Sequence, residues 1–321
     1  MSLNRRPLDP DVQQLIRDAE AQLDFGQSPT PVQIRKDAAR FHVWLRGEVD
    51  QTLYAINTND DRVGAVPVRW YGPAPDPDHD LIVFLHGGGW LAGDVESYDP
   101  DVRLLQRTTG ASVVAVDYRR TPEHTFPAAI DDCVSVVQAV ASIPHRNFAL
   151  VGDSAGGNLA LGTALRTRDL DVVDAVLALY PVVDPHAFQN QSYADNGSGY
   201  LLTAEQLSMY WGLYAPTDTA REDPAAAVLT ADLTGFPPAV IVTAGYDPLR
   251  DEGRELATRL AAADVAVTYL PNPGLTHGFQ QMVPRISAAT DAIRSAYEAL
   301  ICTLGRAGSP RVSPAQLAAQ R

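Results

Sequence analysis

Cysteine is scarce in this chain: Cys133 and Cys302 are the only two among 321 residues. Two cysteines exclude a disulfide-stapled scaffold, and both lie in apolar segments of helical period, so they read as buried free thiols compatible with the cytoplasm. Positive charge is short as well, with 25 Lys and Arg against 39 Asp and Glu and a formal net charge of −14. Such a surface repels phosphate backbones and anionic membranes, and nucleic acid is excluded as an expected partner. Long hydrophobic runs are missing. Nothing approaches the ~20 consecutive apolar residues of a membrane span, and the opening MSLNRRPLDPDVQQLI carries arginines without the apolar core of a signal peptide. A soluble, cytoplasmic protein is the expectation. No internal repeat, low-complexity tract or metal-ligand spacing stands out, so neither a metal nor another cofactor is expected.

What is present is size and hydrophobicity. With 45% hydrophobic residues over 321 positions, the chain can bury the core of one large α/β domain. Short apolar runs recur at Leu81–Leu85, Ser112–Val116, Phe148–Val151, Ala175–Leu179, Ala239–Thr243 and Val265–Leu270, each followed by turn residues. Between them lie segments of helical period, such as Ala128–Val140 with Ile130, Cys133, Val134 and Val137, and Ile286–Leu304 with Ile293, Tyr297, Leu300 and Ile301. Continuous apolar strands alternating with helices predict an α/β fold with a mostly parallel sheet covered on both faces. The stretch Gly47–Trp70 adds expected antiparallel strands before it.

Two regions stand outside the alternation: residues 1–45, polar with amphipathic pieces, and residues 184–230, inserted between two strands. They are expected to pack together as a lid. Within the second, Thr203 and Gln206 have capping-box spacing, and Leu207, Tyr210, Trp211 and Tyr214 then share one helical face. That face reads as a helix docked on the core or as the wall of a substrate pocket; on the second reading Tyr210, Trp211 and Tyr214, together with Trp90, contact substrate.

One stretch, LVGDSAGGN at Leu150–Asn158, places a serine among glycines where the strand ends and a helical pattern begins. A sharp strand-to-helix turn holds its central residue in a strained conformation and brings the residues two before and two after it together. Glycine at 152 and 156 avoids the clash and lifts the Ser154 hydroxyl to the open end of the sheet. The bare G-x-S-x-G pattern arises by chance in roughly one chain of this length in ten, so its setting carries the weight. The helix that follows points free N–H groups at an oxyanion forming beside the serine, Ala155 first among them.

A nucleophilic serine needs further donors and a base. Leu81–Leu85 runs into His86-Gly87-Gly88-Gly89-Trp90, a glycine run whose backbone can approach a reacting carbonyl. The same residues satisfy a relaxed dinucleotide fingerprint, Gly87-x-Gly89-x-x-Ala92, but bulky Trp90 after the last glycine argues against a pyrophosphate turn. Chains built on such an elbow run serine, acid, histidine. Of the seven histidines only His186 and His277 follow Ser154. His186 comes too early to leave room for an acid on a later strand, so His277 is the expected base. Asp247, first after Ala239–Thr243, is the expected orienting acid. Asp251 is the alternative, although it and Glu252 stand where acidic side chains favour a helix N-terminus. Asp153 is assigned no catalytic role: it is expected to satisfy local backbone N–H groups, with contact to substrate the alternative.

With HGGGW at His86–Trp90, VDYRRTPEHTFPAA at Val116–Ala129, GDSAGG at Gly152–Gly157, YDPLRDEG at Tyr246–Gly253 and HGF at His277–Phe279, the chain resembles the hormone-sensitive-lipase-like carboxylesterases of the α/β-hydrolase fold. The resemblance spans residues from about 80 to 280. It implies an eight-stranded, mostly parallel sheet flanked by helices, with core segments 46–183 and 231–307 and a helical cap from 1–45 and 184–230; the tail at 308–321, GSPRVSPAQLAAQR from Gly308, reads from its own composition as loosely ordered. The resemblance further implies hydrolysis of small acyl esters by Ser154, His277 and Asp247, oxyanion donors at Gly88, Gly89 and Ala155, and a homodimer. The chain departs from the family at Arg119-Arg120-Thr121-Pro122-Glu123, where relatives usually read Arg-Leu-Ala-Pro-Glu. Lactone or amide cleavage by the same residues, and a binding protein that has lost its chemistry, are the alternatives; His277 in its full context speaks against the last. Aromatic residues over the site favour short to medium acyl groups.

Overall fold

The computed structural model describes residues 6–22 and 30–307; the tail expected at 308–321 lies outside them, as do parts of the N-terminal region. Helices α1 (Pro10–Gln22) and α2 (Pro31–Arg46) come first. The Thr30 side chain accepts from the Gln33 N–H and Pro31 occupies the first turn, so α2 starts with both a cap and a preset φ. Strands β1 (Thr58–Val63), β2 (Val66–Tyr71) and β3 (Leu81–Leu85) follow, then α3 (Asp99–Thr109), β4 (Ser112–Val116) and α4 (Ala128–Val140). Next come β5 (Phe148–Asp153), α5 (Ala155–Arg166) and β6 (Ala175–Leu179). Three helices, α6 (Gln191–Asn196), α7 (Ala204–Tyr214) and α8 (Asp218–Glu222), fill the segment before β7 (Ala239–Tyr246). The described chain closes with α9 (Arg250–Ala262), β8 (Val267–Thr276) and α10 (Ser287–Ala307).

The eight strands form one sheet in the order β1-β2-β4-β3-β5-β6-β7-β8. β2 runs antiparallel to β1 and β4, and every other pairing is parallel, as the sequence predicts. Strands β3 to β6 are buried at every position, which is why they read as unbroken apolar runs. Successive side chains point to opposite faces: Leu81, Val83 and Leu85 enter one core and Ile82 and Phe84 the other.

Two expectations are corrected. The last strand starts at Val267 rather than Val265 and continues to Thr276; as an edge strand it pairs on one side only and its half-exposed residues break the apolar run. Cys133 is buried, but Cys302 is exposed. The buried stripe of α10 runs through Ile293, Ala296, Tyr297, Leu300 and Leu304, and Cys302 lies about 200° round the helix from Leu300.

The loops that carry chemistry leave β3, β5, β7 and β8 at their C-terminal ends, so parallel pairing gathers them at one end of the sheet. Over that end lie α2, whose Arg35 side chain donates to the Leu91 and Thr121 carbonyls at 2.8 Å each, and α7. No described helix is long and apolar enough to cross a membrane.

Candidate active site

Ser154 joins β5 to α5 with φ 54° and ψ −119°, a conformation that L residues seldom adopt. Two glycines permit it. A Cβ on Gly152 would strike the Gly156 carbonyl, and one on Gly156 would strike the Leu85 carbonyl of β3. The Ser154 N–H is tied to the Leu179 carbonyl at 2.8 Å, which pins the turn against β6.

The structure brings Ser154, His277 and Asp247 together from three strand ends. His277 Nε2 lies 2.9 Å from Ser154 Oγ, and its Nδ1 lies 2.8 Å from Asp247 Oδ2. A carboxylate facing Nδ1 fixes the proton there and leaves the Nε2 lone pair aimed at the hydroxyl. Asp247 is fully buried; its other oxygen accepts from the Leu249 N–H at 2.9 Å. The Tyr180 ring meets His277 edge-on at 4.8 Å and limits its rotation. Asp251 does not compete: it pairs with Arg250 and Arg254 and accepts from the Ser192 N–H at 2.9 Å. His186 is exposed in the loop beyond β6.

After β3, Gly88 and Gly89 adopt φ of 108° and 62°, which favours glycine. Among the described residues the N–H groups of Gly88, Gly89 and Ala155 donate to no protein acceptor. Gly88 and Ser154 are half-buried between buried neighbours and His277 is half-buried beside them, so accessible surface here includes the reactive groups.

Asp153 does satisfy a backbone N–H, although of a distant segment. It accepts from Gly87 N at 2.7 Å, from Tyr98 Oη at 3.2 Å and from Gln281 Nε2 at 3.3 Å. Burial pushes its pKa up to about 7, the Gly87 hydrogen bond opposing.

The four aromatic residues expected to touch substrate separate into two kinds. Trp90, Trp211 and Tyr214 are 1%, 2% and 0% exposed, and Trp90 stacks on Tyr214 at 4.0 Å between ring centres and meets Trp211 at 4.8 Å. Side chains so enclosed present no surface to a ligand; here they form the seam that binds α7 to the core, a correction to their reading as pocket wall. Tyr210 alone stays half-exposed. Its ring covers Gly89 so closely that a Cβ there would come within 2.6 Å of it.

Sequence reasoning missed the supports. Asn196 donates to the Asp247 carbonyl at 3.0 Å, and Glu252 accepts from Val183 N at 2.7 Å and Tyr193 Oη at 3.1 Å, tying α6 to the Asp247 loop. No periodicity marks such pairs; only the position of Glu252, five residues after Asp247 at the start of a helix, hinted at a role.

A family profile described as the alpha/beta hydrolase fold matches residues 82–281. A carboxylic ester hydrolase of Mycobacterium tuberculosis is 38% identical over 67% of this chain and 61% of its own length, so the match spans less than two thirds of that relative. An ethyl acetate hydrolase of Pseudomonas putida is 33% identical over 91% of this chain and 98% of its own. Among solved structures, a hyperthermophilic esterase from the archaeon Pyrobaculum calidifontis superposes with a TM-score of 0.82 at 30% identity, covering 94% of this chain and all of that one. The elbow, the glycine run and the strand order therefore have one explanation: the chain belongs to the hormone-sensitive-lipase-like carboxylesterases of the α/β-hydrolase fold and is a carboxylic ester hydrolase.

Proposed function

We propose that the protein hydrolyses short- to medium-chain acyl esters through a Ser154–His277–Asp247 triad and an acyl-enzyme intermediate. The observation that carries this reading is the unbroken hydrogen-bond chain from Ser154 Oγ through His277 to Asp247, at 2.9 and 2.8 Å, on an elbow facing unpaired N–H groups. His277 Nε2 takes the Ser154 proton as Oγ attacks the ester carbonyl carbon, and Asp247 stabilises the imidazolium. The tetrahedral oxyanion is held by the N–H groups of Gly88, Gly89 and Ala155, with the N-terminus of α5 adding its dipole. Collapse expels the alcohol, which takes the proton from His277. Water, activated by the same imidazole, then attacks the acyl-enzyme and releases the acid.

The limit on chain length rests on Tyr210 over Gly89, and a relative named for ethyl acetate over nearly its whole length supports a small substrate. The free thiols of Cys133 and Cys302, one of them exposed, suit the reducing cytoplasm that completes this reading.

Hydrolysis of p-nitrophenyl esters from acetate to palmitate tests it. Activity should peak among the short and medium chains, Ser154→Ala should lower kcat by on the order of 10⁶, and Asp247→Asn by about 10⁴. Retention of most activity by folded Ser154→Ala would sink the assignment.

A further inference from the structure

The departure from the family pattern at Thr121 occupies a junction. The residue is buried, and its backbone N–H, its carbonyl and its hydroxyl each serve a different segment. Its N–H donates to the Trp90 carbonyl at 2.9 Å, at the end of the glycine run. Its carbonyl accepts from Arg35 of α2 at 2.8 Å. Its hydroxyl donates to the Leu213 carbonyl of α7 at 2.8 Å.

The third bond bears on the site. The last-turn carbonyls of a helix have no partner within it and must find one elsewhere. In α7 the Trp211 carbonyl is met by the Ala215 N–H, the Leu213 carbonyl by Thr121 and the Tyr214 carbonyl by the Phe126 N–H at 2.7 Å. Two of those partners come from the same core loop, so that loop fixes the C-terminal end of α7. Tyr210 stands less than one turn before Leu213 and covers Gly89.

We propose that Thr121 is a specificity-determining residue: by holding the Leu213 carbonyl it sets the height of Tyr210 above Gly89 and so the size of the ester group admitted beside Ser154. The hydroxyl is the operative part, because the N–H and carbonyl bonds of Thr121 do not depend on the side chain. This rests on the esterase reading above and names the residue that sets its substrate range.

The test compares kcat and KM for p-nitrophenyl acetate and octanoate in the wild type, Thr121→Val, Thr121→Ser, Tyr210→Ala and the double variant Thr121→Val/Tyr210→Ala. Valine keeps the branched shape and loses the donor; serine keeps the donor and controls for altered packing. The octanoate-to-acetate ratio of kcat/KM should rise about fivefold in Thr121→Val, chiefly through a lower KM for octanoate, within the range that pocket contacts command. Thr121→Ser should return the wild-type ratio. In the Tyr210→Ala background the valine should add nothing, since the ring it acts through is gone. An unaltered ratio in active Thr121→Val, an equal loss on both esters, or a shift that persists without Tyr210 would each overturn the inference while leaving the esterase reading intact. A wild type idle on every ester would overturn that reading and this inference with it.

Discussion

The Asp153 carboxylate lies between the elbow and the glycine run, holding Gly87 N at 2.7 Å while touching none of the reacting atoms. Its neighbour Ser154 could be read from the flanking glycines because their steric demand is local. The partner of Asp153 could not, since Gly87 is 66 positions away and nothing in GDSAGG names it. Asp153→Ala leaves the Gly87 N–H buried and unpaired, a loss of ~1–3 kcal/mol. The glycine run should then shift and kcat for a short ester fall about 10- to 100-fold, the same free energy expressed as a rate. Asp153→Asn, which retains an acceptor, should recover most of it. The charge has its own consequence. Burial raises the folded-state pKa from 3.8 to about 7, so the fold favours the protonated form. The stability this group contributes is full below about pH 4 and is lost as pH rises through about 7. The urea midpoint at about pH 8 minus that at about pH 5 should therefore be more positive in Asp153→Asn than in the wild type, because the contribution that falls with pH is gone; equal differences would remove Asp153 as a source of pH dependence.

Helix α2 reaches the core through a buried ion pair between Arg46 at its C-terminal end and Asp101 of α3. Burial pushes the Asp101 pKa up and Arg46 pulls it back, so the carboxylate depends on its partner. Arg46→Met strands Asp101 in the interior and should cost about 3–5 kcal/mol, read as a lower urea midpoint. Arg46→Met combined with Asp101→Leu should recover a large part of that loss, and failure to do so would mean that the arginine acts through other contacts. The contrast with the sheet explains what was legible. Strands β3 to β6 are buried on both faces, which prints an unbroken apolar run in the sequence. α4 appeared within its predicted limits, and the capping box of α7 formed from Thr203 and Gln206 as their spacing implied. The anchors of the covering helices were hidden because each joins isolated residues far apart in the chain: Arg46 with Asp101, Arg35 with Leu91 and Thr121, Thr121 with Leu213. The apolar face of α7 was visible, but a helical stripe is the same whether it packs or lines a pocket. Only the structure separates buried Trp211 and Tyr214 from Tyr210.

The arrangement as a whole places two histidines, half-buried His42 and buried His86, where the covering helices meet the sheet. His42 of α2 sits edge-on to Tyr98 at 5.2 Å, and burial with Arg46 nearby lowers its pKa to about 4, Asp94 opposing. His86, at the start of the glycine run, stacks on Tyr118 at 4.2 Å, and burial lowers its pKa to about 3 against the pull of the Gly87 carbonyl. Both are neutral in the folded protein and take up a proton near 6.5 once unfolded. Their contribution is therefore complete above about pH 6.5 and is lost as pH falls towards 4, each with a slope of up to about 1.4 kcal/mol per pH unit. Asp153 works in the opposite direction over about pH 4 to 7, and burial raises Asp101, Asp117 and Glu252 as well, so the share of one histidine is read by substitution and not from the net curve. Because His42 joins α2 to the core and His86 adjoins Gly87, protonation of either ring should loosen the fold and the site together. His42→Phe preserves an aromatic edge against Tyr98 and cannot be protonated. Its urea midpoint should fall less than that of the wild type between about pH 7 and about pH 4.5, by the share of the slope that belongs to one histidine. Parallel curves for the two proteins would show that His42 is not held as a neutral ring in the fold.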